Sequence, residues 1–239
     1  MKPPNIEVIH EDDDIVIISK PSGLLSIPDR YNKNLPSVAK MLSDGRSEVF
    51  TVHRLDKDTS GVMIFAKNAK AHAHLNQQFQ NQKVTKYYLL LVVGTTPERG
   101  CIDVNLTVHP VKSQMMATQK GGKAAITDFE TLKHYHNYSL VKAHPHSGRT
   151  HQLRVHFSHL KHEIIADPIY GTHGPLFLSQ FKRKYKPSSA KPERPLMDRL
   201  ALHAESISFK HPGNHNRLSF EAALPKDFRA SIRQLDKWT

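Results

Sequence analysis

The sequence predicts an α+β fold: a mixed, mainly antiparallel β-sheet with flanking helices and loops. Two observations carry that expectation. Runs rich in β-branched and aromatic residues greatly outnumber segments with helical periodicity, and neighbouring runs are joined by short turns. Taken in order, Ile15-Val16-Ile17-Ile18 is β-branched throughout and follows an acidic turn, so it reads as a buried strand. Val62-Met63-Ile64-Phe65-Ala66 is a second strand. Asn68 suits the N-cap of a helix over residues 69–82, with Ala69, Ala73, Leu75 and Phe79 as its apolar contacts. Residues 87–93 form a strand ended by Gly94, and residues 126–132 and 138–143 form two more around His134-Tyr135-His136-Asn137. In Gln152-Leu153-Arg154-Val155-His156-Phe157, polar and apolar residues alternate. That alternation predicts a strand with Gln152, Arg154 and His156 on one face. Residues 109–123, which include Lys112, Lys120, Gly121, Gly122 and Lys123, read as a loop. So do residues 172–199, with four prolines and seven basic residues, among them Lys182-Arg183-Lys184 and Lys186.

A chain of 239 residues is long enough for one substantial core, and a single domain over residues 1–239 is the expectation. Its 34 basic and 22 acidic residues give a net charge of +12, a footprint suited to a polyanionic partner. Cys101 is the only cysteine, so no intrachain disulfide forms. Residues 1–14 lack the apolar stretch of a secretion signal, and the longest apolar run, residues 89–93, is far too short to span a bilayer. The expectation is a soluble cytoplasmic protein with no membrane partner. Seventeen histidines invite a metal, with pairs at His134/His136, His144/His146 and His156/His159. None forms an H-E-x-x-H motif or a Cys/His set at zinc spacing, so no metal is expected. Gly121-Gly122 alone is no dinucleotide fingerprint, and no nucleotide cofactor is expected either.

One stretch carries the chemistry. His53-Arg54-Leu55-Asp56-Lys57-Asp58-Thr59-Ser60-Gly61 crowds carboxylates, a guanidinium, an imidazole, two hydroxyls and a glycine together, then runs straight into a strand. A packed strand needs no such prelude; a site holding one ionised carboxylate beside a cation does. These residues resemble the RluA family of RNA pseudouridine synthases, whose central motif reads H-R-L-D-x-x-T-S-G. Lys20-Pro21-Ser22-Gly23-Leu24-Leu25 looks like that family's early K-P-x-G segment, and Lys86-Tyr87-Tyr88 like its K-x-Y. The run from Ser147 to His156 is similar to its G-R-T-H-Q-L-R-V-H, Asp167 to Gly171 to its D-P-x-Y-G, and Leu202-His203-Ala204 with His211-Pro212 to its L-H-A…H-P. The resemblance covers nearly the whole chain. It implies the same α+β architecture and a cofactor-independent isomerisation of uridine to pseudouridine in a ribosomal or transfer RNA stem-loop. The early strand at Ile15 leaves no room for the N-terminal S4 domain of some relatives, which points to the single-domain branch and a monomer.

The resemblance also implies roles. Asp56 is the nucleophile, since a covalent carboxylate intermediate divides a difficult bond exchange into easier steps. Arg154 is its charge partner through a fork-shaped guanidinium, with Arg149 as the alternative or as a phosphate contact. Arg54 stabilises the stack vacated by the flipped uridine. Tyr88 stacks on the extruded uracil and assists proton movement, and strand alternation sends the adjacent Tyr87 to the opposite face. Lys86 contacts phosphate or a core carboxylate, and His53 and His151 orient the catalytic loops. Composition alone assigns Lys182, Arg183, Lys184 and Lys186 to RNA phosphates. The rival readings are a non-catalytic RNA-binding or assembly protein on the same fold, and a nuclease using histidine acid–base pairs or a metal, against which the absent ligand spacing argues.

Overall fold

The β-branched run at Ile15 is a strand buried on both faces, with Ile15, Val16, Ile17 and Ile18 all 0% exposed. The computed structural model describes residues 5–44, 49–109, 115–118, 121–186 and 191–239. In chain order the elements begin with β1 (Glu7–Glu11), β2 (Ile15–Lys20), α1 (Val38–Ser43), β3 (Phe50–Thr51), β4 (Ser60–Ala66), α2 (Ala69–Gln80) and β5 (Thr85–Val93). They continue with β6 (Arg99–Asp103), β7 (Leu106–Val108), β8 (Met116–Thr118), β9 (Ile126–Tyr135), β10 (Tyr138–Pro145) and α3 (Gln152–His159). Then come β11 (Leu202–Lys210), β12 (Arg217–Glu221) and α4 (Lys226–Trp238). The predicted class holds: strands dominate, the described pairs are mostly antiparallel, and the β4–β11 pair is parallel. Among the described residues no helix is long and apolar enough to cross a membrane.

The chain divides into two compact units, Met1–Tyr87 with His203–Ala223, and Tyr88–Leu202 with Leu224–Thr239. In the first, β2 lies between β1 and β4, and β4 pairs in parallel with β11. The strand β12 returns along β11, and β3 runs along β4. Every residue of β4 is buried, which explains why β2 and β4 read as continuous apolar runs rather than alternating ones. The helix α2 starts where predicted, with Asn68 Oδ1 accepting the Ala71 N–H at 2.8 Å. Its inward face differs from expectation. Ala71, Leu75 and Gln78 point inward, whereas Ala69 and Ala73 are exposed. With Leu75 inward, a helical period places residues four before and three after it on the same side, and alanine is too small to signal a face by itself.

In the second unit β5, β10, β9 and β6 form an antiparallel array, with β9 and β10 joined by a tight turn at His136-Asn137. The region expected as a loop at residues 109–123 contains β8, which pairs with β7; Lys112 and Lys120 lie outside the described residues. Residues 152–157 are a helix, α3, not the predicted strand. His151 takes a left-handed conformation (φ 54°) that ends any extended backbone immediately before it. The alternation misled because Leu153 and Phe157, four residues apart, face one core while Val155 packs with Leu106 and Ala125. A helix buried all round leaves no amphipathic stripe to read, and six residues are too few to separate a period of 2 from one of 3.6. The described part of the 172–199 segment is anchored: Leu176 pairs with Met197, and Leu176 and Phe181 join the core with Phe228 and Leu235 of α4.

Candidate active site

Asp56 sits on the turn that leads into β4, and its carbonyl accepts the Thr59 N–H at 3.2 Å. Three residues from the end of β2 and the segment after it grip this turn. Lys20, 1% exposed, donates through Nζ to the carbonyls of Lys57 (2.8 Å), Leu24 (2.6 Å) and Pro21 (2.9 Å). Ser22 Oγ donates to the Asp58 carbonyl at 2.7 Å. Ser26 Oγ donates to the Leu55 carbonyl at 2.6 Å and accepts the Leu55 N–H at 3.1 Å. Backbone adds Gly23 N–H to the same Lys57 carbonyl at 2.9 Å. The two segments meet because β2 and β4 are antiparallel neighbours, with Lys20 opposite Gly61.

The far side of the turn is held by β11. Ser60 Oγ lies 3.0 Å from Nδ1 of buried His203, whose Nε2 is 3.0 Å from the Ala222 carbonyl. A carbonyl only accepts, so Nε2 is the donor of that bond. Gly61 adopts φ 122°, and a Cβ there would stand 2.2 Å from the Ala204 carbonyl oxygen. Only glycine permits that approach of β4 to β11. His53 Nε2 accepts the Ile64 N–H at 3.1 Å, and its ring stacks on Phe79 of α2 with centroids 4.9 Å apart. Burial and the nearby Lys86 hold the His53 pKa down to about 3, so the imidazole is neutral. Burial likewise lowers Lys86 to about 8.

In the second unit, Arg154 grips Asp167 bidentately, Nε to Oδ2 at 2.8 Å and Nη2 to Oδ1 at 2.7 Å, with the two side chains 4% and 1% exposed. Burial alone would raise the Asp167 pKa. The Arg154 bond and charge, with the N–H groups of Ile169 and Tyr170, overcome it and hold the carboxyl below its usual value. The Arg154 guanidinium also lies over the Tyr170 ring at 5.1 Å, and the Tyr170 hydroxyl is 2.8 Å from His151 Nδ1. The motif-bearing Asp167 is therefore a partner for Arg154 that the sequence did not assign.

The other expected residues sort clearly. Arg54 is exposed. Arg149 donates through Nε to the Ala124 carbonyl at 3.3 Å, a loop-supporting contact. Tyr88 is half-buried and packs against the second unit's core, while Tyr87 is 37% exposed, as the alternation along β5 requires. Lys182 Nζ lies 4.3 Å from the centroid of the Trp238 ring. Arg183, Lys184 and Lys186 are exposed. His156 is buried, with Nδ1 3.0 Å from Thr127 Oγ1 and Nε2 3.2 Å from the Val104 carbonyl, so it bonds to the frame of its unit. Sequence reasoning gave no role to Lys20, His203 or Asp167. A lysine closing an otherwise apolar strand was the available signal for the first.

Comparison with known proteins bears on this arrangement. A family profile described as RNA pseudouridylate synthase matches residues 14–159. The chain is 33% identical over 251 residues to ribosomal large subunit pseudouridine synthase D of Haemophilus ducreyi, covering 98% of this chain and 72% of that one. It is 35% identical to an uncharacterized RNA pseudouridine synthase of Aquifex aeolicus, over 99% of this chain and 76% of the other. The solved structure of human RNA pseudouridylate synthase domain containing 4 superposes with a TM-score of 0.71 at 26% identity, covering 96% of this chain and 93% of that one.

Proposed function

Because this chain belongs to the RNA pseudouridylate synthase family, whose members isomerise uridine in RNA, we propose that Asp56 is its nucleophile and a large-subunit ribosomal RNA its substrate. The observation that carries the first part is the clamp around residues 55–58: two serine hydroxyls, a buried ammonium and a backbone N–H fix one short turn. A turn held at so many points keeps its carboxylate in one direction before substrate arrives, which is how positioning lowers a barrier. The relatives named for the large ribosomal subunit support the second part.

In this reading the target uridine is turned out of its helix and Arg54, exposed beside the turn, occupies the gap. Asp56 bonds to C1′ as the bond from C1′ to uracil N1 breaks, and the freed base carries that electron pair. The base turns, C5 bonds to C1′ and displaces the carboxylate, and the C5 proton is lost while N1 gains one. Nothing external is consumed. Tyr88 stacks on the freed base, and its hydroxyl serves proton movement. Arg154, its fork aligned by Asp167, compensates the nucleophile's charge. Lys86, Arg149, Arg183, Lys184 and Lys186 contact phosphates. The chain acts as a monomer without a cofactor.

The test incubates purified protein with unmodified large-subunit ribosomal RNA, and separately with unmodified transfer RNA, in EDTA, and maps pseudouridine chemically. A discrete modified position in the ribosomal transcript without strand cleavage is expected, and Asp56→Asn should bind RNA without modifying it. Binding by the wild type with no isomerisation would leave only an RNA-binding protein. Substantial turnover by Asp56→Asn would remove the nucleophile.

A further inference from the structure

Away from the catalytic turn, the first unit contains a cleft of about 460 Å³ between α2 and the β11–β12 hairpin. His74, Gln77 and Gln78 line it from α2, Asn81 and Lys83 from the segment after that helix, and Lys210, His215 and Arg217 from the hairpin. No carboxylate is among its lining residues.

The cleft is built rather than incidental. Gln78, 6% exposed, donates through Nε2 to the Lys210 carbonyl at 2.7 Å and accepts the Lys210 N–H at 2.8 Å, so the end of β11 is locked to the helix. His74 and His215 face each other with ring centroids 5.2 Å apart. Arg217 donates to the Thr85 hydroxyl at 3.0 Å, and among the described residues neither it nor Lys83 or Lys210 pairs with a carboxylate. Crowding like charges is unfavourable, and no carboxylate lines the cleft to offset it. The effect is visible in His74, whose pKa is lowered by desolvation first, then by His215, His211 and Lys210. Of these, His211 has its own acid, Asp12, at 3.1 Å.

A concave, cationic, acid-free surface suits an anion. The lining carries no phenyl, phenol or indole ring on which a base could stack, so phosphate rather than base is the matching group. The same helix reaches the catalytic turn, because Phe79, next to Gln78, stacks on His53. We propose that this cleft receives phosphodiester groups of the substrate RNA's stem, as a docking site separate from the reacting uridine. The proposal rests on the RNA-modifying reading above.

The test compares wild type with the triple variant Lys83→Gln, Lys210→Gln and Arg217→Gln. RNA binding isotherms are recorded at several salt concentrations with an unmodified large-subunit ribosomal RNA transcript, and turnover is measured on the same transcript. The variant should bind roughly tenfold more weakly near 0.1 M salt, and its log–log salt slope should be shallower by up to about 0.9 for each lost contact. The loss should fall chiefly on KM. If a thermal melt shows the triple variant unfolded, Lys83→Glu alone, at an exposed position, repeats the measurement with the same expected direction. Inorganic phosphate is titrated in parallel while the ring-proton signals of His74 and His215 are followed by NMR. Parallel salt lines of equal affinity overturn the docking site, and if phosphate alone still shifts those signals the cleft serves a free anion instead. Failure of the wild type to isomerise the transcript would count against the activity; wild-type turnover with unchanged salt slopes counts against the cleft alone.

Discussion

The buried ammonium of Lys20 donates to the carbonyl of Lys57 at 2.8 Å, and Lys57 is the residue next to Asp56. An ammonium taken out of water is tolerated only when its protons are used, and here three carbonyls use them. The last residue of β2 thereby fixes the backbone that carries the proposed nucleophile.

Replacing that ammonium should therefore cost both stability and rate. Lys20→Met leaves the carbonyls of Pro21, Leu24 and Lys57 without this donor, a loss on the order of 3 kcal/mol. Denaturant unfolding measures the first effect. Turnover well below the variant's melting point measures the second and should fall by more than tenfold. A folded Lys20→Met enzyme with wild-type turnover would show that the clamp does not position Asp56.

Breaking the Arg154–Asp167 pair from either side should destabilise by about 3–5 kcal/mol, because each single change strands a buried charge. Arg154→Met with Asp167→Leu should recover much of that loss, because both charges leave together. Arg154→Lys should recover less activity than stability, since an ammonium lacks the planar fork. A double-mutant cycle by chemical unfolding decides it; additive single effects would mean the pair is not coupled.

Tyr88→Phe should retain RNA binding and core packing yet lose most of its turnover, because only the hydroxyl is removed. Tyr87→Phe, on the exposed face of β5, should be close to neutral in both assays. Steady-state kinetics on a modified-uridine readout compares them. A reversed pair of phenotypes would reassign the proton-handling role to Tyr87.

His53 should give stability a pH dependence of its own. Its folded pKa of about 3 lies below the ordinary value of 6.5, so between those values the unfolded chain binds a proton that the folded chain refuses. Stability therefore rises with pH across that window and falls on acidification, with a slope approaching about 1.4 kcal/mol per pH unit from this group. His53→Gln should flatten the curve between about pH 4.5 and 6.5. Chemical unfolding at a series of pH values reads it, and an unchanged slope would place the acid sensitivity elsewhere.

The sequence by itself determined the elements whose signals are local. The apolar runs of β2, β4 and β5 and the Asn68 cap of α2 were legible because burial on both faces and a side-chain cap leave marks on adjacent residues. The Asp56 turn stood out as a candidate site because its polar residues are contiguous. Tertiary structure decided the rest. It made α3 a helix, since that segment is surrounded by core and has no solvent side to create a pattern. It gave Arg154 its partner thirteen residues away, tied Lys20 to Lys57 across thirty-seven, and brought Ser60 to His203 across one hundred and forty-three. Those pairings depend on which strands become neighbours, and strand order follows from how the whole chain buries its apolar surface rather than from any one segment.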